Sequence, residues 1–344
     1  MVDGGDGREA PAGEPEVEVL LATYNGERFL REQVELILSQ SYARLRVLAR
    51  DDGSSDGTVE LLAGYAERWP ERFKVMEAGE ATGSAKGNFL RLMRAATGEY
   101  ICFADQDDVW LPDKVRLSVE AMRGLEKRHG RETPLLVFTD LRVVDEELRM
   151  ISESMWAWSG VDPRNAHRLE RLLGQNVVTG CTAMMNRPML ELARRMPEAA
   201  MMHDRWIGLL AASMGAAEVV REGTVLYRQH GANVIGAPSE DRTVWGTAVR
   251  ARSSEARRRE RWLSEMQAEA LLRVHGGEMG VRSRAVLRAY LLSGRSGSRF
   301  VRVALTMRYG FFRTGFVRNL ATLLDLARRP SAEGVVPVSF HHRK

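Results

Sequence analysis

Residues 100–108 read YICFADQDD, and this stretch decides the fold. Five apolar residues run directly into a turn that carries three carboxylates, Asp105, Asp107 and Asp108. A short apolar run that stops at polar turn residues is typical of a buried strand. In parallel sheets, ligands bind beyond the carboxyl ends of the strands. The stretch therefore predicts a central strand and a functional edge.

The same pattern recurs upstream along the chain. The apolar runs 17–22 and 45–49 each end in polar turn residues, and each precedes an amphipathic segment, at about 28–40 and about 58–69. Strands that alternate with helices of this length indicate βαβ units. We therefore predict an α/β fold with a mainly parallel, mixed sheet and helices on both faces.

The pattern is less regular beyond residue 111. We predict a strand at 135–138, buried sheet at 175–185, a helix at 203–214 and a further strand at 219–228. These elements extend the α/β domain to about residue 236.

Composition sets the predicted domain boundaries. The 344 residues are 44% hydrophobic and 28% charged, which at roughly 150 residues per domain fits one large domain with an appendage. Residues 1–16 are rich in Gly, Glu and Pro and predict a disordered tail. The composition shifts to Arg, Ala and Leu near 237–245. We predict an α/β domain at 17–236 and a helical C-terminal region at 237–344.

Apolar patterning and cysteine content indicate where the protein acts. The apolar runs are shorter than the roughly 20 residues of a membrane-spanning helix, and residues 1–16 lack a secretory signal pattern. The two cysteines, Cys102 and Cys181, lie in apolar surroundings and predict buried thiols in a reducing compartment. We expect a cytoplasmic protein.

Two aspartates at the predicted functional edge have the spacing of a metal site. Asp105 and Asp107 are two residues apart in an extended segment, so both side chains can point the same way. Paired carboxylates suit a hard cation such as Mg²⁺ or Mn²⁺. The alternative is a turn and helix N-cap, a role that we assign to Asp108.

The segment DDGSSDGT at 51–58 ends the second predicted strand. We interpret Asp52 as a group that accepts a hydrogen bond from a nucleotide base, and Asp56 as a helix cap. Turn formation is the alternative for Asp52. The chain lacks G-x-G-x-x-G after a strand and lacks G-x-x-x-x-G-K-[ST], which argues against a dinucleotide oxidoreductase and a P-loop NTPase.

Five motifs occur along the chain in one order: ATYNG at 22–26, DDGSSDGT at 51–58, GEYICFADQDD at 98–108, HD at 203–204 and YRQH at 227–230. In this order they resemble family 2 glycosyltransferases of the GT-A fold, within their bacterial rhamnosyltransferase-like branch. The likeness covers about residues 17–236. It implies a Rossmann-like GT-A domain that uses Mg²⁺ or Mn²⁺ as cofactor.

The resemblance also implies a role for each matching residue. The residues implied to lie at the nucleotide or sugar are Thr23, Tyr24, Asn25, Asp52, Lys86, Asn88, Asp105 and Gln106. Asp105 and Asp107 form the implied metal-binding D-x-D motif, and His230 lies near the diphosphate or metal. A hydrogen-bonded structural histidine is the alternative for His230.

Asp204 matches the acidic position that acts as the base in inverting members of this family. The family often has Glu-Asp where this chain has His203 and Asp204, a departure that keeps the aspartate. An attacking hydroxyl must lose its proton, so one positioned carboxylate suffices as general base. The alternative is that Asp204 is the N-cap of the helix that follows.

The predicted function is inverting, metal-dependent transfer of a sugar from a nucleoside-diphosphate sugar. The resemblance implies dTDP-rhamnose or a UDP-sugar as donor, and a hydroxyl of a growing or lipid-linked cell-surface glycan as acceptor. One alternative is a sugar-phosphate nucleotidyltransferase, although the first strand lacks the Gly-rich basic loop of that class. Another is a non-catalytic, sugar-nucleotide-binding membrane scaffold.

The C-terminal region is basic and helical in pattern. Residues 249–262 carry six arginines, and residues 295–329 carry eight arginines with a single acid, Asp325. Apolar residues at helical spacing beside arginines predict peripheral contact with an anionic membrane, at the inner face of the cell membrane. The alternative is a helical hairpin packed on the α/β domain. No nucleic-acid motif is present, so we expect no nucleic-acid partner.

Overall fold

The protein is described by a computed structural model that covers residues 13–77, 79–198, 200–230 and 254–328. Its strands are β1 (Val17–Thr23), β2 (Leu45–Asp51), β3 (Phe73–Val75), β4 (Tyr100–Asp105), β5 (Val109–Trp110), β6 (Leu135–Val144), β7 (Met150–Ser152), β8 (Ala183–Asn186) and β9 (Ala216–Arg228).

The helices divide between the α/β part of the chain and its C-terminal part. The first set is α1 (Glu27–Leu38), α2 (Thr58–Arg68), α3 (Ala85–Ala95), α4 (Lys114–His129), α5 (Met155–Ser159), α6 (Leu169–Gly174), α7 (Arg187–Ala193) and α8 (His203–Met214). The second set is α9 (Ser254–His275), α10 (Val281–Arg295), α11 (Arg299–Tyr309) and α12 (Phe316–Arg328).

The described strands form one mixed sheet in the order β3-β2-β1-β4-β8-β6-β9-β5, with β7 paired to β6. β1 runs parallel to both β2 and β4, whereas β8 is antiparallel to β4 and β6. Thr23 pairs with Asp51, and Ala22 pairs with Asp105. Three strands therefore end at one edge and bring their polar turns together there.

The sheet is covered by helices on both faces. Every residue of β1 is buried, as expected for a parallel strand between two helical layers. Leu20 packs with Phe89 of α3 on one face, and Val19 packs with Leu30 of α1 on the other. The predicted α/β fold is confirmed, and so is the burial of both cysteines.

One predicted segment differs from the structure. The predicted sheet at 175–185 is wrong over most of its length, since the strand begins only at Ala183, after a 3₁₀ turn at Gly180–Thr182. The Asn176 side chain bonds both backbone groups of Val178, and such local bonds compete with a sheet ladder.

The ends of the predicted domains are only partly described. Within the predicted tail 1–16, residues 13–16 are in place, and the Pro15 carbonyl accepts a hydrogen bond from the Tyr42 hydroxyl at 2.6 Å. Residues 1–12 and the predicted boundary at 237–245 lie outside the described residues. Within the described ranges, no helix combines the length and apolar character needed to cross a membrane.

The C-terminal helices pack on the α/β domain. Ser264 of α9 accepts a hydrogen bond from Arg205 of α8 at 2.7 Å. The Tyr290 hydroxyl of α10 donates to the Leu173 carbonyl at 3.0 Å. These contacts agree with the helical-hairpin interpretation, and they leave the outer faces of α11 and α12 exposed.

Candidate active site

The turn after β2 is built by Asp51. Its carboxylate accepts hydrogen bonds from the Thr23 hydroxyl at 2.9 Å and from the amides of Gly53 and Ser54 at 2.9 and 2.7 Å. Gly53 has a φ of +92°, which glycine adopts without steric cost. Asp51 therefore shapes the edge, and the neighbouring Asp52 is left to face the other way.

Asp52 is buried and held by three donors from its own chain. It accepts hydrogen bonds from Arg50 at 2.8 Å and from the Thr82 amide and hydroxyl at 2.7 and 2.9 Å. Burial acts to raise the pKa of Asp52, but the bonds from Arg50 and Thr82 outweigh it and hold the pKa below its usual value. Asp52 is thus ionised and fixes the 82–84 turn; its contact with a base stays a prediction.

Asn88 and Arg50 connect the C-terminal ends of β1 and β2 by hydrogen bonds. The Asn88 amide donates to the carbonyls of Thr23 and Arg50 at 3.2 and 3.1 Å and accepts from the Arg50 guanidinium at 2.9 Å. Both side chains are buried. Arg50 was missed by the sequence analysis, although an arginine between a buried strand and DDGS is a usable signal.

Lys86, at the start of α3, contacts its own chain. Its ammonium donates to the carbonyls of Glu198 and of Ala200, the latter at 3.0 Å. Burial lowers the pKa of Lys86. Lys86 thus holds the loop that precedes α8; its role near the nucleotide stays a prediction.

Tyr24 is displayed on a rigid turn after β1. The Gln106 side chain accepts a hydrogen bond from the Tyr24 amide at 2.8 Å and donates to its carbonyl at 2.9 Å. Asn25 adopts a φ of 49° and bonds Ser54 and Ser55. The Tyr24 side chain is 57% exposed. Gln106 and Asn25 therefore position this turn, and the Tyr24 ring is free to meet a ligand.

Two of the three predicted metal-binding residues, Asp107 and His230, are in contact just after the end of β4. His230 Nε2 lies 2.7 Å from Asp107 Oδ2, and Arg228 donates to the Asp107 carbonyl at 3.1 Å. Burial, together with the charges of Asp107 and Asp204, raises the pKa of Asp105 to about 7. The site therefore concentrates negative charge in a poorly hydrated place.

Asp108 does not have the turn or capping role predicted for it, because the N-cap of α4 is Asp113. Asp108 is buried, and its carboxyl group is close enough to the Cys181 thiol to interact with it. Ligand atoms of Asp105, Asp108 and Cys181 lie within 4.8 Å of one another. Burial raises the pKa of the Cys181 thiol well above its usual value, so the carboxylates are the better ligands.

These donors fit a hard divalent cation. Mg²⁺ and Mn²⁺ prefer carboxylate oxygens, and buried carboxylates without partners are costly unless a cation lies among them. Asp105 and Asp108 are the carboxylates whose oxygens lie close enough to share such an ion, and Asp107, two residues after Asp105, is bonded to His230.

Asp204 lies in the first turn of α8, near this cluster. The N-cap of α8 is Met202, so the capping alternative for Asp204 is wrong. Its carboxylate accepts hydrogen bonds from the Arg205 amide and from the Asn176 side chain, the latter at 3.2 Å. Burial raises the pKa of Asp204 to about 6. Asn176 was missed, because its segment was interpreted as sheet.

His203 is a buried core residue that places the start of α8 over β4. Its ring stacks against Phe89 and Phe103 at centroid distances of 4.3 and 4.9 Å. Burial lowers the pKa of His203 to about 3, so the ring is neutral. Because Phe103 lies two residues before Asp105, this stacking brings Asp204 towards the carboxylate cluster.

Known proteins share parts of this sequence. A family model described as glycosyl transferase family 2 matches residues 18–191. The chain is 32% identical over 105 residues to the dTDP-rhamnosyl transferase RfbG of Shigella flexneri, covering 30% of this chain and 36% of that protein. It is 32% identical over 108 residues to an uncharacterized glycosyltransferase of Nostoc sp., covering 31% and 33%. These matches span about a third of each relative.

A solved structure shares the fold. TarS 1-349 of S. aureus, in complex with UDP-GlcNAc, superposes with a TM-score of 0.51 at 15% identity, over 91% of this chain and 89% of that chain. The predicted GT-A fold is confirmed by this likeness. The family model covers half of the chain and includes the DDGSSDGT and ADQDD segments. The chain belongs to glycosyl transferase family 2.

Proposed function

We propose that the chain catalyses inverting, metal-dependent transfer of a sugar from a nucleoside-diphosphate sugar to an acceptor hydroxyl. The observation that supports this most directly is that Asp204, at the start of α8, and Asp107, just after β4, both act by their charge on Asp105 at the end of β4 and raise its pKa. A base and a cation site beside one strand end are what a single displacement at a sugar carbon requires.

Asp204 takes the proton of the attacking hydroxyl. Its pKa of about 6 keeps the carboxylate largely ionised at neutral pH while making it a stronger base than an exposed aspartate. The bond from Asn176 fixes one oxygen. Attack from this side inverts the sugar carbon, so no protein nucleophile is needed.

The donor diphosphate lies at the opposite side of the site in this proposal. Asp105, Asp107 and His230 hold the cation, which when bound supplies Lewis-acid stabilisation of the departing diphosphate. Asp52, Tyr24 and the turn after β1 border the nucleoside. The bonds of Gln106 and Asn25 keep this border rigid before a ligand binds, which lowers the entropic cost of binding.

We propose dTDP-rhamnose as the donor, with a UDP-sugar as the second choice. The support is the similarity to a protein named dTDP-rhamnosyl transferase. The acceptor in this proposal is a growing or lipid-linked cell-surface glycan, which places the enzyme at the inner face of the cell membrane. The family match favours transfer over the nucleotidyltransferase and scaffold alternatives.

Calorimetric titration of the whole chain with dTDP, UDP and GDP, each with and without Mn²⁺, tests the proposal. We expect binding of dTDP that depends on Mn²⁺, and weaker binding of GDP. Equal binding without the metal would contradict metal dependence. Pyrophosphate release from a nucleoside triphosphate and a sugar phosphate would favour the nucleotidyltransferase alternative instead.

A further inference from the structure

Helices α11 and α12 turn large apolar side chains away from the protein. The exposed residues are Phe300, Val301, Met307, Phe316, Val317, Leu320 and Leu324. Phe316 is 81% exposed and Phe300 is 73% exposed. On α12, Phe316, Leu320 and Leu324 recur every four residues and so form one stripe. An apolar patch of this kind normally marks an interaction surface.

The opposite faces of the two helices are fixed to the protein. Arg302 of α11 is buried and donates to the Leu326 carbonyl of α12 at 2.7 Å. Asp325 of α12 accepts a hydrogen bond from Arg257 of α9 at 2.6 Å. The apolar stripe is therefore the outer side of a packed helix pair, and it is exposed among the residues that the structure describes.

The charges around this face select its partner. Residues 299–328 contain a single acid, Asp325, which is bonded by Arg257, and six arginines, of which Arg302 and Arg313 are bonded to the protein itself. Arg299 and Arg308 are exposed on α11. A second copy of the chain would bring like charges together, whereas anionic lipid headgroups complement them. Apolar side chains beside arginines are the composition of a helix that lies in a membrane interface.

We propose that the outer face of α11 and α12 docks on an anionic phospholipid bilayer. Phe316 and Leu320 insert at the level of the headgroups, and Arg299 and Arg308 contact lipid phosphates. This inference rests on the proposed function only in explaining why the enzyme would bind a membrane, since a lipid-linked acceptor is held in such a bilayer.

The docking face is linked directly to the loop that carries the partner of the base. Between α11 and α12, Arg313 donates to the Gly174 carbonyl at 2.9 Å, and the Thr314 amide donates to the Gln175 side chain at 2.9 Å. The next residue is Asn176, which bonds Asp204. Docking would therefore hold the loop at 174–176, which orients the proposed base Asp204, at a fixed position relative to the bilayer.

Flotation of the whole chain with vesicles tests this proposal. We expect the protein to float with vesicles of phosphatidylcholine containing about one-third phosphatidylglycerol, and to remain unbound with phosphatidylcholine alone. The double variant Phe316→Ser with Leu320→Ser should bind the anionic vesicles at least about tenfold more weakly. Both side chains are exposed, so circular dichroism and the melting temperature should stay unchanged.

A matched control removes two apolar side chains elsewhere. Met150 and Ile151 on β7 are 45% and 44% exposed, and Met150→Ser with Ile151→Ser should float as the wild type does. Equal flotation of the Phe316/Leu320 variant and the wild type would overturn the proposal, as would a wild type that does not float. Sedimentation velocity without vesicles identifies the other occupant: a dimer that the Phe316/Leu320 variant abolishes shows self-association.

The flotation experiment and the nucleotide-binding experiment test the two proposals separately. The flotation assay contains no donor, so a chain that docks but does not bind nucleotide refutes the proposed function alone. A chain that binds dTDP and Mn²⁺ but stays off the vesicles refutes the docking face alone.

Discussion

Replacing Asp204 with asparagine should separate catalysis from stability. Asparagine has the same shape but cannot take up a proton, so the transfer rate should fall by about 10²- to 10⁴-fold, the range attributed to a general base. Nucleotide binding should persist, because the residues assigned to the nucleoside, Tyr24 and Asp52, lie in the turns after β1 and β2. In the wild type, the transfer rate should rise as pH increases through about 6, where Asp204 loses its proton.

The same substitution should stabilise the fold. Burial raises the pKa of Asp204 from 3.8 to about 6, so the folded protein holds this proton more tightly than the unfolded chain does. Stability therefore falls as pH rises from 3.8 to about 6, and the full deficit of about 3 kcal/mol remains at higher pH. Asparagine removes this cost and disrupts one bond with Asn176, worth about 1 kcal/mol. We expect a net gain of about 2 kcal/mol.

Two measurements on the Asp204→Asn variant check these effects. Release of nucleoside diphosphate in the presence of donor and acceptor reports turnover, and urea unfolding at about pH 8 reports stability. Asp113→Asn is the control, because Arg116 and Ser41 hold the pKa of this exposed carboxyl below its usual value; it should keep turnover and lose stability. Unchanged turnover in Asp204→Asn would refute the role as base, and a loss of stability would refute the cost of burial.

Three other substitutions test the rest of the site. Asp107→Ala should lower Mn²⁺-dependent transfer at least about a hundredfold with an unchanged melting temperature, and near-normal turnover would remove Asp107 from the metal site. His203→Leu should reduce the loss of stability between about pH 7 and pH 5 by about 2 kcal/mol, because the unfolded chain gains a proton that buried His203 refuses; equal pH dependence of thermal unfolding would contradict this. Arg50→Gln should cost about 3–5 kcal/mol in urea unfolding, because it leaves the buried Asp52 carboxylate without its cation, and a cost below about 1 kcal/mol would contradict that account.

The sequence predicted the elements that repeat a simple pattern. The runs 17–22, 45–49 and 100–104 alternate with helical segments, and βαβ connections place the ends of such strands on one edge. The prediction of sheet at 175–185 was wrong, because an apolar segment of this length is equally compatible with a strand and with buried irregular chain. What decided between them was one side chain, Asn176, whose bonds to Val178 replace the ladder.

The candidate site was predictable where its residues act in short motifs. Spacing singled out Asp105 and Asp107, the family resemblance singled out Asp204, and the charges of Asp107 and Asp204 both act on Asp105. It did not reveal the pairing of Asn88 with Arg50, which are 38 positions apart, because the partners of a buried amide depend on the register of two strands and a helix. Nor did spacing reveal that Asp108 is buried beside Cys181.

The distribution of satisfied and unsatisfied polar groups divides the site into a binding half and a reactive half. On the nucleoside side, the buried charges of Asp52 and Arg50 are paired with each other. On the other side, burial raises the pKa values of Asp105, Asp108 and Asp204. A buried charge without a compensating partner lowers the stability of the fold. Such charges are therefore found mainly at functional sites, where the chemistry requires them. In the proposed function, a divalent cation among these carboxylates would offset that repulsion and so couple metal binding to the stability of this edge of the sheet.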